Sequence, residues 1–95
     1  MHRELTVSVR IPGPLREYCA GASELTVTAP DVGAALAQLE REHPSLYRNI
    51  CDETGAVRRH IAVFVNTSHL RDLGGLGTAL VPGDVVTIFP AVSGG

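Results

Sequence analysis

Val81-Pro-Gly-Asp-Val-Val-Thr-Ile-Phe-Pro-Ala-Val-Ser-Gly-Gly95 decides how this chain is read, because it joins a turn, a strand and a run closing in two glycines. Pro82 and Gly83 stand where a type II turn wants proline and glycine. Beyond Asp84, alternation predicts a strand with Val86 and Ile88 facing inward and Val85, Thr87 and Phe89 outward. Pro90 has no N–H to give to a ladder and is expected to end the pairing. Ala91, Val92 and Ser93 then lead to Gly94 and Gly95. Glycines lack Cβ atoms and thread a narrow channel in conformations closed to other residues. An α-carboxyl group with a pKa of about 3.5 is ionised at neutral pH, so it resists nucleophiles until it is activated, for instance as an acyl-adenylate. A partner enzyme would supply that activation, which makes Gly95, with Gly94 before it, the candidate reactive position.

Working outward, Leu5, Val7, Val9 and Ile11 alternate with polar residues in a first strand that ends at the turn Pro12-Gly13-Pro14. Leu25 and Val27 alternate with Thr26 and Thr28 in a second. Asp31 reads as a helix N-cap, and Val32, Ala35, Leu36 and Leu39 fall at helical spacing until Pro44 stops the run. Arg48 to Arg59 is polar and contains glycine, so a loop is predicted there. Ile61, Val63 and Val65 form the inward face of a third strand. A short strand around His69 and Leu70, a turn at Gly74-Gly75 and a single helical turn near Thr78 to Leu80 are expected before the last strand. The order ββαββ favours an α+β fold, one sheet packed on one main helix, because the helix stripe and the strand faces bury each other.

The chain has 95 residues and is 44% hydrophobic, enough for one core and too little for a second domain. Its apolar stretches are too short to span a bilayer, so no membrane partner is expected. Met1 to Leu5 pass straight into the first strand without the apolar core of a signal peptide, and a cytoplasmic location is the expectation. A net charge of −2, with no basic run near Tyr18, Tyr47, Phe64 or Phe89, argues against nucleic acid. All eight basic residues are arginine. Without lysine, a chain with an activated C-terminus cannot build lysine-linked polymers on itself.

His60-Ile-Ala-Val-Phe-Val-Asn66, Pro82-Gly83-Asp84 and the segment from Val86 to Gly95 resemble the MoaD/ThiS family of ubiquitin-like sulfur carriers. Within it, Leu73 to Leu80 and the ending Phe-Pro-Ala-Val-Ser-Gly-Gly look most like the cysteine-biosynthesis branch; Ala91 stands where the small subunit of molybdopterin synthase more often has a proline. The resemblance implies a β-grasp domain over residues 1–89 and an extended reactive tail over 90–95. It implies that an ATP-dependent, ubiquitin-activating-type enzyme (adenylyltransferase and sulfurtransferase) adenylates Gly95, and that sulfide or a persulfide displaces AMP to leave a thiocarboxylate. In the cysteine branch the acceptor is an activated serine on a pyridoxal-phosphate (PLP) dependent synthase, and a metallopeptidase later frees the cysteine. Other destinations remain open: a thiazole-synthase-like acceptor making thiamin or a thiosugar product, the molybdopterin-synthase subunit, or a protein modifier. No cofactor is expected on the chain itself, and it is not expected to be an enzyme.

Counting in steps of two from Val63 and Ile88 puts Phe64 and Phe89 on the sheet face away from the helix, with Ala62 and Thr87 as neighbours. An apolar patch beside a reactive tail is where partners are expected to dock. The predicted partner-binding set is therefore Ala62, Phe64, Thr87, Phe89, Pro90, Ala91, Val92 and Ser93. Cys19 and Cys51 form no Cys-x-x-Cys and are read as buried or incidental thiols. His2, His43, His60 and His69 lack metal-ligand spacing, and Glu40, Arg41 and Glu42 read as the solvated face of the helix.

Overall fold

A computed structural model describes residues 6–90. Five strands, β1 (Thr6–Arg10), β2 (Glu24–Thr28), β3 (Ile61–Val65), β4 (Ser68–His69) and β5 (Val85–Pro90), form one sheet in the order β2-β1-β5-β3-β4. β1 and β5 run parallel, and the other neighbours are antiparallel. Helices α1 (Val32–Glu42) and α2 (Pro44–Ile50) complete the other layer. A mixed sheet with the last strand at its centre and the main helix across one face is the β-grasp arrangement.

The predicted helix is present. Asp31, in an extended conformation, accepts the Ala34 N–H on Oδ1 at 2.7 Å, which satisfies one of the orphan donors of the first turn. Val32, Ala35, Leu36 and Leu39 are all buried. They meet Val7, Val9 and Val27 from one half of the sheet and Val63, Val86 and Ile88 from the other in one continuous core. Among the described residues no polar or charged side chain is buried, so this core depends on apolar area and close packing alone.

Several connections differ from their sequence reading. Pro44 does lie just beyond α1, but it also opens α2, which occupies part of the predicted loop. Its fixed φ suits a first helical position, where its missing N–H is not needed. Leu46 and Ile50 bury this short helix against the core. The segment after Pro12 winds into a 3-10 turn, Gly13–Cys19, closed by Ala20 in the left-handed region. Thr78 to Leu80 are not helical. The chain runs extended there, with Val32 N–H donating to Thr78 O at 3.0 Å and Leu80 N–H to Pro30 O at 2.9 Å, which ties it to the start of α1. The helical turn in this region lies earlier, at Gly75–Gly77. Pro90, expected to end the pairing, instead occupies the last ladder position opposite Ile61.

The type II turn is as predicted. Asp84 N–H donates to Val81 O at 3.1 Å, and Gly83 has φ +92°, a conformation that favours glycine. Replacing Asp31 by alanine should cost about 1 kcal/mol through the lost cap and lower the calorimetric melting temperature by about 4–8 °C.

Candidate functional site

β5 brings the chain to its tail, and the position of β5 follows from a small polar knot at its start. Asp84 Oδ2 accepts the Val81 N–H at 2.9 Å, closing the turn on itself, while its Oδ1 takes the Asn66 side-chain amide at 3.1 Å. Asn66, at φ +55°, ends β3 and returns two bonds to β5: its Oδ1 accepts Val85 N–H at 3.1 Å and its N–H donates to Val85 O at 2.7 Å. Gly83 N–H donates to Thr6 O and Ser8 N–H to Asp84 O, both at 3.0 Å, so the same turn is fastened to β1. The register of the central strand is thereby set from both sides.

That register assembles the predicted patch. Ala62 lies opposite Phe89 and Phe64 opposite Thr87, so these four residues are neighbours on the face away from α1. The rings of Phe64 and Phe89 meet edge to face, with centroids 5.5 Å apart, a geometry the ring quadrupoles favour. Phe89 is 48% exposed although it is an aromatic in a central strand. His69, read from sequence as an ordinary strand or surface residue, belongs to this group. The β3–β4 hairpin sets it opposite Phe64, ring centroids 5.0 Å apart. Its signal in the sequence was the Asn66-Thr67 turn, whose pairing carries His69 back to Phe64. Pro90 adjoins the patch at the strand end and is exposed. Ala91, Val92, Ser93, Gly94 and Gly95 lie outside the described residues.

The outer face is divided. Its β1 and β2 half carries Thr6, Ser8 and Arg10 opposite Thr28, Thr26 and Glu24, with an exposed ion pair of 3.6 Å between Arg10 and Glu24. Its β5, β3 and β4 half carries the apolar and aromatic side chains. An exposed pair such as Arg10–Glu24 stabilises little, so this half offers water a polar surface, whereas the other half leaves the aromatic side chain of Phe89 exposed. Where β5 ends, a cleft of about 490 Å³ opens between Phe89 and the arginines Arg10 and Arg16.

Among the described residues the remaining reactive types stand apart from one another. Cys19 and Cys51 are both buried and unpaired. Cys19 Sγ donates to the carbonyls of Ala22 and Arg16 at 3.4 and 3.6 Å. Burial pushes the Cys51 thiol up to about 11, far from the range of a nucleophilic cysteine. Among the described residues no group of three His, Cys, Asp or Glu side chains could hold a metal ion, and no helix is long and apolar enough to cross a membrane.

The ThiS family profile matches residues 9–95. The sulfur carrier protein CysO of Mycobacterium tuberculosis is 34% identical over 93 residues, covering 96% of this chain and 100% of that protein. Small archaeal modifier protein 3 of Haloferax volcanii is 39% identical over 64 residues, 67% of this chain and 68% of its own length. The crystal structure of M. tuberculosis CysO superposes with a TM-score of 0.83, covering 90% of this chain and 99% of that one. A chain of the Amycolatopsis orientalis BexX/CysO complex superposes with a TM-score of 0.84 at 32% identity, covering 94% and 99%. The protein belongs to the ThiS family, with the ubiquitin-like β-grasp fold.

Truncating Phe89 to alanine should cost well under the roughly 3–5 kcal/mol of a buried aromatic, because the residue is already about half exposed. Calorimetric unfolding checks this. Cys51 gives a second expectation. Its raised pKa makes the neutral thiol the folded form. The stability that this contributes is complete below the unfolded value of about 8.5 and is lost as pH rises through about 11. Burial also raises Tyr47, next to Cys51, and adds to the alkaline loss. Melting temperatures measured between neutral and strongly alkaline pH should therefore fall less steeply in Cys51→Ala than in the parent.

Proposed function

We propose that this protein is a sulfur carrier whose reactive atom sits on the carboxyl carbon of Gly95. The observation that carries the reading is the alignment itself. The family match runs through Gly95, and the alignment spans the whole of a protein named as a sulfur carrier. The chemistry proceeds in two balanced steps. The Gly95 carboxylate attacks the α-phosphorus of ATP and expels pyrophosphate, giving the acyl-adenylate. Sulfide then attacks the acyl carbon, the bond from carbon to the phosphate oxygen breaks, and AMP leaves a C-terminal thiocarboxylate. A ubiquitin-activating-type enzyme supplies the ATP site, and this chain supplies the tail and the surface that is gripped.

The face around Phe64, Thr87 and Phe89 lies beside the point where the tail leaves, so a partner holding these side chains also controls the direction of the tail. Six residues from Pro90 onward reach about 20 Å when extended, at ~3.3 Å each, enough to carry a sulfur into a pocket while the domain stays outside. A carrier related to this chain has been crystallised with a partner, in the BexX/CysO complex, which supports docking of this kind. Cysteine biosynthesis is the destination we favour, with a PLP-dependent synthase as acceptor. There the thiocarboxylate sulfur bonds to the activated serine carbon, its leaving group departs, and acyl transfer from sulfur to nitrogen leaves cysteine amide-linked to Gly95. A metallopeptidase would hydrolyse that amide. The similarity to small archaeal modifier protein 3 supports a second reading, conjugation of Gly95 to the lysines of other proteins.

Incubation with ATP, sulfide and a cognate activating enzyme should replace one oxygen by sulfur at Gly95, read by mass spectrometry of the intact protein and its C-terminal peptide. Deleting Gly94 and Gly95 should abolish AMP formation and leave the melting temperature unchanged. Undiminished adenylation of the truncated chain would overturn the proposal. Lysine conjugates without any thiocarboxylate would favour the modifier reading.

A further inference from the structure

β3 is flanked unequally. β5 pairs with it from Ile61 to Val65, whereas β4 lies beside it only at Phe64 and Val65. Ile61, Ala62 and Val63 therefore form a strand edge with no strand next to it among the described residues. The hydrogen bond from Asn66 N–H to Val85 O fixes the alternation of the β3–β5 ladder. By that alternation the main-chain groups of Ala62 and Phe64 meet β5, and those of Ile61 and Val63 are turned to the other side, where the Ile61 N–H is taken by Arg58 O at 3.0 Å and the Ile61 carbonyl and both Val63 groups are left for the open edge.

A groove of about 530 Å³ runs along this edge. One wall comes from Val57 to Arg59 and the other from Leu70, Arg71 and Leu76. The apolar parts are Val57, Ile61, Val63, Leu70 and Leu76, and Leu76 is 38% exposed. The charged residues that line it are of one sign, Arg58, Arg59 and Arg71, and no carboxylate is among them. None of the three forms an ion pair among the described residues, where the one such pair is Arg10–Glu24 on the opposite side of the sheet. Arg58 donates its Nε to Arg48 O at 2.7 Å, which anchors that guanidinium, and Asp52 lies near it outside the groove.

An open strand edge invites another strand unless charge, proline or a cover blocks it. Here the guard is purely cationic. It repels a second copy of this chain, which would bring its own Arg59 and Arg71 to the same place, and it favours the opposite charge. We propose that the β3 edge is a docking site for an extended segment of another protein that carries alternating acidic and apolar residues and adds to the sheet as a strand. Main-chain hydrogen bonds supply the affinity, the apolar groove takes alternate side chains, and the arginines select the acidic ones. The site is separate from the chemistry of Gly95 and shares with the aromatic face only its border, at Ala62 and His69.

The full-length chain should be titrated with a synthetic peptide Glu-Val-Glu-Ile-Glu-Val-Glu and with its lysine counterpart, followed by amide NMR shifts and hydrogen exchange. The acidic peptide should shift the amides of Arg58, Arg59, Ile61, Ala62 and Val63, slow the exchange of the Val63 amide, which is the one of β3 left open at this edge, and bind more weakly as salt rises. The double variant Arg59→Glu, Arg71→Glu should bind it about tenfold more weakly or worse with an unchanged melting temperature. Deleting Gly94 and Gly95 should leave binding unaltered, so failure of the carrier reading and failure of this one are told apart. Absence of binding, equal binding of the lysine peptide, or shifts centred on Phe64, Thr87 and Phe89 would overturn the proposal.

Discussion

The structure depends on how its last strand is seated between strands made much earlier. β5 pairs with β1 on one side and β3 on the other, so the two halves of the sheet are joined only through it. The Asp84 carboxylate and the Asn66 side chain hold its first residues, one closing the turn and the other crossing to the end of β3. A slip of one residue at this junction would send Val86 and Ile88 to the outer face and bring Phe89 into the core. The core under α1 and the aromatic patch outside are thus two results of one register.

The two faces of β5 divide the labour of the molecule. Inward, Val86 and Ile88 are fully buried with α1 and β3. Outward, the side chains rank from polar on β2 and β1 to aromatic on β3 and β4, and Phe64 touches both Phe89 and His69. Because neighbouring strands are rigid relative to one another, a partner bound across these rings is held at a fixed distance from the exit of the chain at Pro90. This is the property a carrier of a tethered reagent needs, and it requires no reactive side chain in the domain.

Much of this was legible in the sequence, where local chemistry and tertiary context agree. Alternation placed β1, β3 and β5 on their correct faces, the Asp31 cap and the stripe from Val32 to Leu39 marked α1, and Pro82-Gly83 named its turn. The failures occurred where one residue type serves two ends. Pro44 stops a helix and also starts one, and only the burial of Leu46 and Ile50 reveals the second role. Thr78 to Leu80 look locally like a short helix, but hydrogen bonds to Pro30 and Val32, distant in sequence, draw them out straight. His69 was missed as part of the patch because its partner is set by a hairpin, not by its own composition. Of the candidate site, the sequence located the outward face of Phe64 and Phe89, and the structure added which side chains touch.

The central place of β5 has a consequence for synthesis. A chain emerging from the ribosome can pair β1 with β2 but cannot join them to β3, because β5, the strand between them, is made after all three. The contacts that close the sheet are therefore long in range, and proteins rich in such contacts fold comparatively slowly. The outer aromatic face, which needs β3 and β5 side by side, does not exist on an incomplete or unfolded chain. Any enzyme that must grip that face before acting on a segment beyond it inspects the fold as it does so, and acts only on molecules that have passed.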